Sequence, residues 1–211
     1  YCWANAGIPF YGVNYSQMYI LSNGRVMFGT GGSTSALPSV ATFASNQPSV
    51  GVWTDWNPAL LGGSINATNL GGGILRVDYS VAFNGETLGV LSSFGIQFDT
   101  VTGSVMLDGL TGINANPQGT AGGLFSATAD SMIMGISKGA PVPAATNPGA
   151  TLFTSGGAGI AANATDMWYD WYPGVAAGAG RCPSLVPGTL STIIWTPTSA
   201  PFAYNYDYSS F

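Results

Sequence analysis

Residues 135–139 read Gly135-Ile-Ser137-Lys138-Gly139, which matches the Gly-x-Ser-x-Gly spelling of a nucleophile elbow. An elbow serine needs a neighbouring base to accept its proton. The chain contains no histidine, so a Ser-His-Asp triad cannot be assembled. The elbow also requires a helix directly after the strand, and here a Pro-containing stretch follows. The expectation is a strand that ends in a turn.

Carboxylates are the next candidates. Glu86 is the one glutamate, and the aspartates are scattered. A glycosidase needs two carboxyls across a cleft, roughly 5–10 Å apart, one of them in an apolar setting. The arrangement that could be drawn sets Asp55, between Trp53 and Trp56, opposite Asp170. The simpler reading packs both tryptophans in or beside the core and leaves Asp55 to cap a turn. Metal chemistry is equally thin. Residues 99–103 lack the dense acidic spacing of an EF-hand loop, Cys-x-x-Cys and Cys/His spacings are absent, and no pattern points to a transition metal. No cofactor is expected; a structural calcium ion, held by an aspartate and loop carbonyls, is the one exception kept open.

Aromatic residues are the more suggestive group. Trp168, Tyr169, Trp171 and Tyr172 surround Asp170, an aromatic-acid cluster of the kind that stacks on sugars or on a neighbouring subunit. The alternative is that they cover the end of the fold. Further on, Ile193, Ile194 and Trp195 lie in an apolar run. A Pro-punctuated tail over 197–211 then carries Phe202, Tyr204, Tyr206, Tyr208 and Phe211. So many aromatics left in water favour a contact.

Composition narrows the setting. Charged residues are 6% of the 211, while hydrophobic residues hold an ordinary 46%. Gly, Ser, Thr, Asn and Pro have therefore replaced charge rather than enlarged the core. Such small side chains lose little rotamer entropy when covered, so the surface is easy to pack against. The net charge is −5, and Arg25, Arg76, Lys138 and Arg181 are the four cations. Four dispersed cations form no phosphate-neutralising stripe, which argues against nucleic acid and anionic membranes. No apolar run approaches the ~20 residues of a membrane span.

The chain reads as a secreted one from which any signal peptide has been removed. Cys2 and Cys182 are the two cysteines, and in that setting they are expected as one disulfide. It would remove about 4–5 kcal/mol of unfolded-state entropy. The alternative is two buried thiols. Asn14, Asn66 and Asn163 each begin an Asn-x-Ser/Thr sequon and are candidate glycosylation sites. Asn66 and Asn163 stand in loop-like contexts.

Helical periodicity is nearly missing. Short β-branched and aromatic runs alternate with Gly, Pro, Asn and Ser clusters, which predicts many short strands. Asn23-Gly24 between the apolar runs 17–21 and 25–28 predicts a hairpin whose two turn residues both take φ > 0. Further strands are predicted at 50–53, 74–83, 89–98, 104–107, 132–136, 151–154 and 189–196, with loops over 30–48 and 114–123. The fold class is all-β: a single β-sandwich, jelly-roll-like, of many short antiparallel strands with long Gly/Ser/Pro loops. It forms one domain over 1–211, with 197–211 as an extended C-terminal tail.

The order of motifs resembles nidogen-like domains. Ile8-Pro-Phe-Tyr-Gly12, Tyr15, Ile20-Leu-Ser-Asn-Gly24 and Val26-Met-Phe-Gly29 are similar to the opening of those domains. Trp53-Thr-Asp55, residues 73–79, Phe94-Gly-Ile-Gln-Phe98 and Met134-Gly-Ile-Ser137 follow in the same order. The resemblance spans roughly residues 8 to 157. It implies an extracellular β-sandwich used in adhesion or matrix contexts, with no catalytic residues to carry over.

These observations lead to the expectation of a non-enzymatic structural subunit of an extracellular filament, sheath or matrix. Its partners would be copies of itself, joined in part by addition of a terminal strand to a neighbouring sheet. Residues 189–196 with the tail are the first donor, and residues 1–10 the second. A carbohydrate-binding or adhesive cell-surface module, with polysaccharide as the partner, is the alternative.

Overall fold

The computed structural model of the protein describes residues 7–31, 35, 38–45, 47–84, 89, 91–111, 132–139, 146–149, 160–163, 167–172, 192–198 and 204–209. The first strands are β1 (Ile8–Phe10), β2 (Val13–Tyr15), β3 (Met18–Ile20) and β4 (Arg25–Phe28). Helix α1 (Val40–Ser45) precedes β5 (Ser49–Trp53) and β6 (Trp56–Asn57). A 3-10 turn at Leu60–Gly62 leads into a meander of β7 (Ser64–Gly71), β8 (Ile74–Phe83), β9 (Ser92–Asp99) and β10 (Val105–Thr111). The remaining strands are β11 (Met132–Ser137), β12 (Thr146–Gly149), β13 (Ile160–Asn163), β14 (Met167–Tyr172), β15 (Thr192–Pro197) and β16 (Tyr204–Ser209).

Besides the two-stranded β1-β2 hairpin, two seven-stranded antiparallel sheets result. The first runs β16-β15-β10-β9-β8-β7, with β6 pairing β8 on the same edge as β7. The second runs β12-β13-β14-β11-β5-β4-β3. The chain is thus an all-β sandwich, and alternation explains why. In β8, Leu75, Val77, Tyr79 and Val81 are buried while Arg76, Asp78 and Ser80 face the other way. Phe94, Ile96 and Phe98 of β9 and Val105 and Leu107 of β10 continue that inner face, as do Ile193 and Trp195 of β15. Val26, Phe28, Val50, Val52, Met134, Ile136 and Trp168 meet them from the second sheet.

The second sheet is apolar on both faces, as the fully buried β4, β5 and β11 record. Its outer face carries Trp53, Ile133, Met167 and Tyr169, and α1 covers it with Phe43. Residues 30–48 were expected as loop throughout. Yet Val40, Phe43 and Ala44 recur at helical spacing and pack on this face, and Ser39 caps α1 by accepting the Thr42 N–H at 3.1 Å.

The β3–β4 hairpin stands where Asn23-Gly24 placed it, but its turn differs from the expected one. Gly24 alone has positive φ, at 81°. The Gly24 N–H donates to the Leu21 carbonyl and the Leu21 N–H to the Arg25 carbonyl. This is a three-residue loop closed by a left-handed glycine, not a two-residue turn. No Cβ fits at Gly24, because Trp56 and the Val52 carbonyl press on it.

Within the stretch 197–211, expected as an extended tail, the described residues 204–209 form a strand of the first sheet. Residues 204–209 pair in register with β15, from Tyr204 opposite Pro197 to Ser209 opposite Thr192. Tyr204 fastens this strand to the N-terminal hairpin. Its ring lies 4.7 Å from Tyr11 and 5.7 Å from Phe10, and its hydroxyl donates to the Gly103 carbonyl at 2.9 Å. The strand predicted at 151–154 lies outside the described residues.

Candidate assembly surface

The chemistry-bearing positions are positioned as structure. Ser137 is buried in β11, opposite Ser49, and its Oγ accepts the Gly139 N–H at 3.2 Å. Gly135 sits mid-strand because the β14 backbone at Trp168 and Tyr169 leaves no room for a Cβ. The elbow spelling therefore belongs to a core strand. Asp55 joins the end of β5 to the end of β8: its carboxylate accepts the Asn84 amide at 3.1 Å and its carbonyl the Asn84 N–H. Burial pushes its pKa up, and the Asn84 bond offsets part of that. Trp53 ends β5 of the second sheet and Trp56 begins β6 of the first, and the two side chains belong to different clusters. Trp56 packs on Phe83 in the sandwich, while Trp53 lies beneath α1 with Phe43. The two do not flank a shared cleft around Asp55.

Arg25 is the least expected residue here. It is buried on the outer face of the second sheet, with its guanidinium carbon 4.2 Å from the Trp53 ring centroid and 5.8 Å from that of Phe43. One nitrogen donates to Ser49 Oγ at 3.0 Å, while Nε and Nη1 have no partner. Burial lowers its pKa to about 10, so it stays charged at neutral pH. Nothing in the sequence sets Arg25 apart from the other cations. Its burial follows from the register that sets it opposite Gly51 in β5.

Several of the aromatic contact candidates turn out to be core. Trp168 is 2% exposed and meets Trp195 edge-on at 5.6 Å. Ile193 and Trp195 are fully buried, and Tyr169 is held against Phe43. As contact residues Trp168, Tyr169, Ile193 and Trp195 are therefore corrected: alternation turns them inward or beneath α1. Tyr204 is half-buried against the β1–β2 hairpin. Ile194, of opposite parity, is 38% exposed. Trp171 and Tyr172 lie in β14, and Tyr206 and Tyr208 in β16. Phe202, Phe211, Cys2 and Cys182 lie outside the described residues. Asn14 and Asn66 are exposed, and Asn66 and Asn163 sit in strands β7 and β13 rather than loops.

Two of the three cations among the described residues are engaged within the fold. Arg25 is buried. Arg76 reaches across Gly95, forming paired hydrogen bonds with Asp108 at 2.7 and 2.9 Å and a third with Asp78 at 2.7 Å. Those bonds, the Asp108 pair foremost, hold the Arg76 pKa above its usual value. Of the cations among the described residues, Lys138 is the exposed one.

The edge strand β7 carries no charge and no proline. Its sequence is Ser-Ile-Asn-Ala-Thr-Asn-Leu-Gly, and its ladder with β8 is regular until the irregularity between Asn69 and Gly71. Natural edges are ordinarily blunted by lysine, proline, bulges or brevity. This eight-residue edge has one irregularity, at its far end. Leu61 and Leu70, at its two ends, are 47% and 56% exposed. Leu61 also holds left-handed backbone at φ 55° and ψ 22°, a conformation that costs an L-residue roughly 1–2 kcal/mol.

No protein-family model, no curated protein and no solved structure matches this chain. Among the described residues, no group of three or more Cys, Asp or Glu could hold a metal ion, and no helix is long and apolar enough to cross a membrane.

Proposed function

We propose that this protein is a non-enzymatic structural subunit of an extracellular filament, sheath or matrix, and that it assembles with copies of itself. The observation that carries the reading is the uncharged edge of β7, beside which no further strand lies among the described residues, with exposed Leu61 just before it and Leu70 near its end. A strand edge offers a row of main-chain donors and acceptors that another strand can satisfy. The low share of charged residues, 6% of the chain, supports the same reading, because small uncharged side chains lose little entropy on contact. Burial of Tyr204 against the N-terminal hairpin favours addition of a strand that stays in its own sheet over release of the tail.

The secreted setting, the Cys2–Cys182 disulfide, sugar on the sequons and kinship with nidogen-like domains belong to the same proposal. The alternative reading, polysaccharide binding by residues 168–172, loses support from the burial of Trp168 and Tyr169. Size-exclusion chromatography with light scattering over a wide concentration range tests the proposal. Mass growing with concentration is expected. A monomer at every concentration, retained on a polysaccharide column, would replace this reading with the alternative.

A further inference from the structure

Every pairing in both sheets is antiparallel, so strand direction alternates across each sheet. In the first sheet, six strands run from β16 to β7 inclusive. An even number makes the two edges run in opposite directions. If a second copy is moved along the hydrogen-bonding direction without being turned over, its β16 arrives beside β7 antiparallel to it. The apolar and polar faces of the combined sheet then stay in phase. In the second sheet, seven strands run from β12 to β3. Those edges point the same way, and the same displacement would juxtapose them in parallel, the slightly weaker ladder.

We infer, resting on the assembly reading above, that the partner of the β7 edge is β16 of a second copy, docked head-to-tail so that the first sheet runs on from subunit to subunit. The dimensions fit, since six residues of β16 can lie within the eight of β7. Neither β7 nor β16 has a second strand beside it among the described residues. Leu61 and Leu70 would flank the added strand. Such a contact joins two different surfaces and does not close on itself, so it propagates as a fibre. Six strand spacings of about 4.8 Å give an advance of about 29 Å per subunit. A strand twist of roughly 20–25° accumulates to roughly 120–150° per subunit.

Proline substitution in two blocked variants tests this. In a strand, successive N–H groups point to opposite edges, and an outward-pointing one can be lost without disturbing the fold. Ala67→Pro and Thr68→Pro are made in β7, and Asn205→Pro and Tyr206→Pro in β16. From each pair the variant that keeps the parent's circular dichroism and melting temperature is taken forward. Each blocked variant alone is expected to remain a monomer where the parent polymerises. An equimolar mixture of the two should give a 1:1 dimer and nothing larger, because one open β7 and one open β16 remain. If the parent polymerises and the β7 variant does so equally, the surface is wrong while the assembly reading survives. If both variants are monomers and the mixture is too, the contact is not head-to-tail between these edges. A parent that never assembles overturns both.

Discussion

Arg25 stacks its guanidinium 4.2 Å from the centre of the Trp53 ring, fully buried, with Ser49 as its hydrogen-bond acceptor and no ion pair among the described residues. Taking a charge out of water without a counter-charge costs several kcal/mol. Ring contact returns about 2 kcal/mol of that at a desolvated site. The arginine is thus held by the packing of α1 and β5 around it, and its charge adds little.

Arg25→Met should therefore leave stability within about 1 kcal/mol of the parent, or raise it, because a chain of similar length fills the space without the charge. Arg25→Ala should lose about 2–4 kcal/mol by opening a cavity under Phe43 and Trp53. Urea denaturation of both variants checks this. Equal losses would mean that the charge itself is needed.

Gly51→Ala and Gly135→Ala should each destabilise by about 2–4 kcal/mol. At Gly51 a Cβ would strike the Gly24 carbonyl, and at Gly135 it would strike the β14 backbone. Both obstacles are backbone and cannot swing aside. Melting temperatures near that of the parent would show that the sheet gives way easily there.

Asp55 makes stability depend on pH. Burial raises its folded pKa above the unfolded value of roughly 3.9. Between those two values the folded state binds more protons, so its contribution is full below the unfolded pKa and falls as pH rises through the window. Asp55→Asn removes that dependence. The stability of the variant relative to the parent should therefore climb from about pH 3 upward and level off once the folded carboxyl has ionised. A difference that stays constant from about pH 3 to about pH 7 would contradict the assignment.

Tyr204→Phe removes the hydroxyl that donates to the Gly103 carbonyl. The expected loss is about 1–2 kcal/mol. Amide hydrogens of residues 204–209 should exchange faster than in the parent while those of β8 do not. Uniform acceleration would mean that β16 does not open separately.

Much of the fold is legible wherever two-residue alternation is strong. β8, with Leu75, Val77, Tyr79 and Val81 on one face, is recovered over its full span. The elements that escaped notice are those whose stability is not local. β7 is half polar and forms because β8 offers it a partner. Helix α1 is one turn and a half, and it persists through Phe43 on a sheet face. The aromatic run at 168–172 illustrates the opposite error. Composition made it look like a surface platform, but its parity within β14 sends Trp168 to the core and Tyr169 under α1. The edge that matters here was invisible for the same reason as β7 itself, since being an edge is a property of the whole sheet.

Continuation of the first sheet from copy to copy would build an ordered polymer. Electron micrographs of the concentrated protein, averaged along the filament axis, test it most directly. Unbranched filaments with an advance of about 29 Å per subunit, about six strand spacings, are expected. A field of separate particles, or filaments whose subunit advance is unrelated to that spacing, would contradict it.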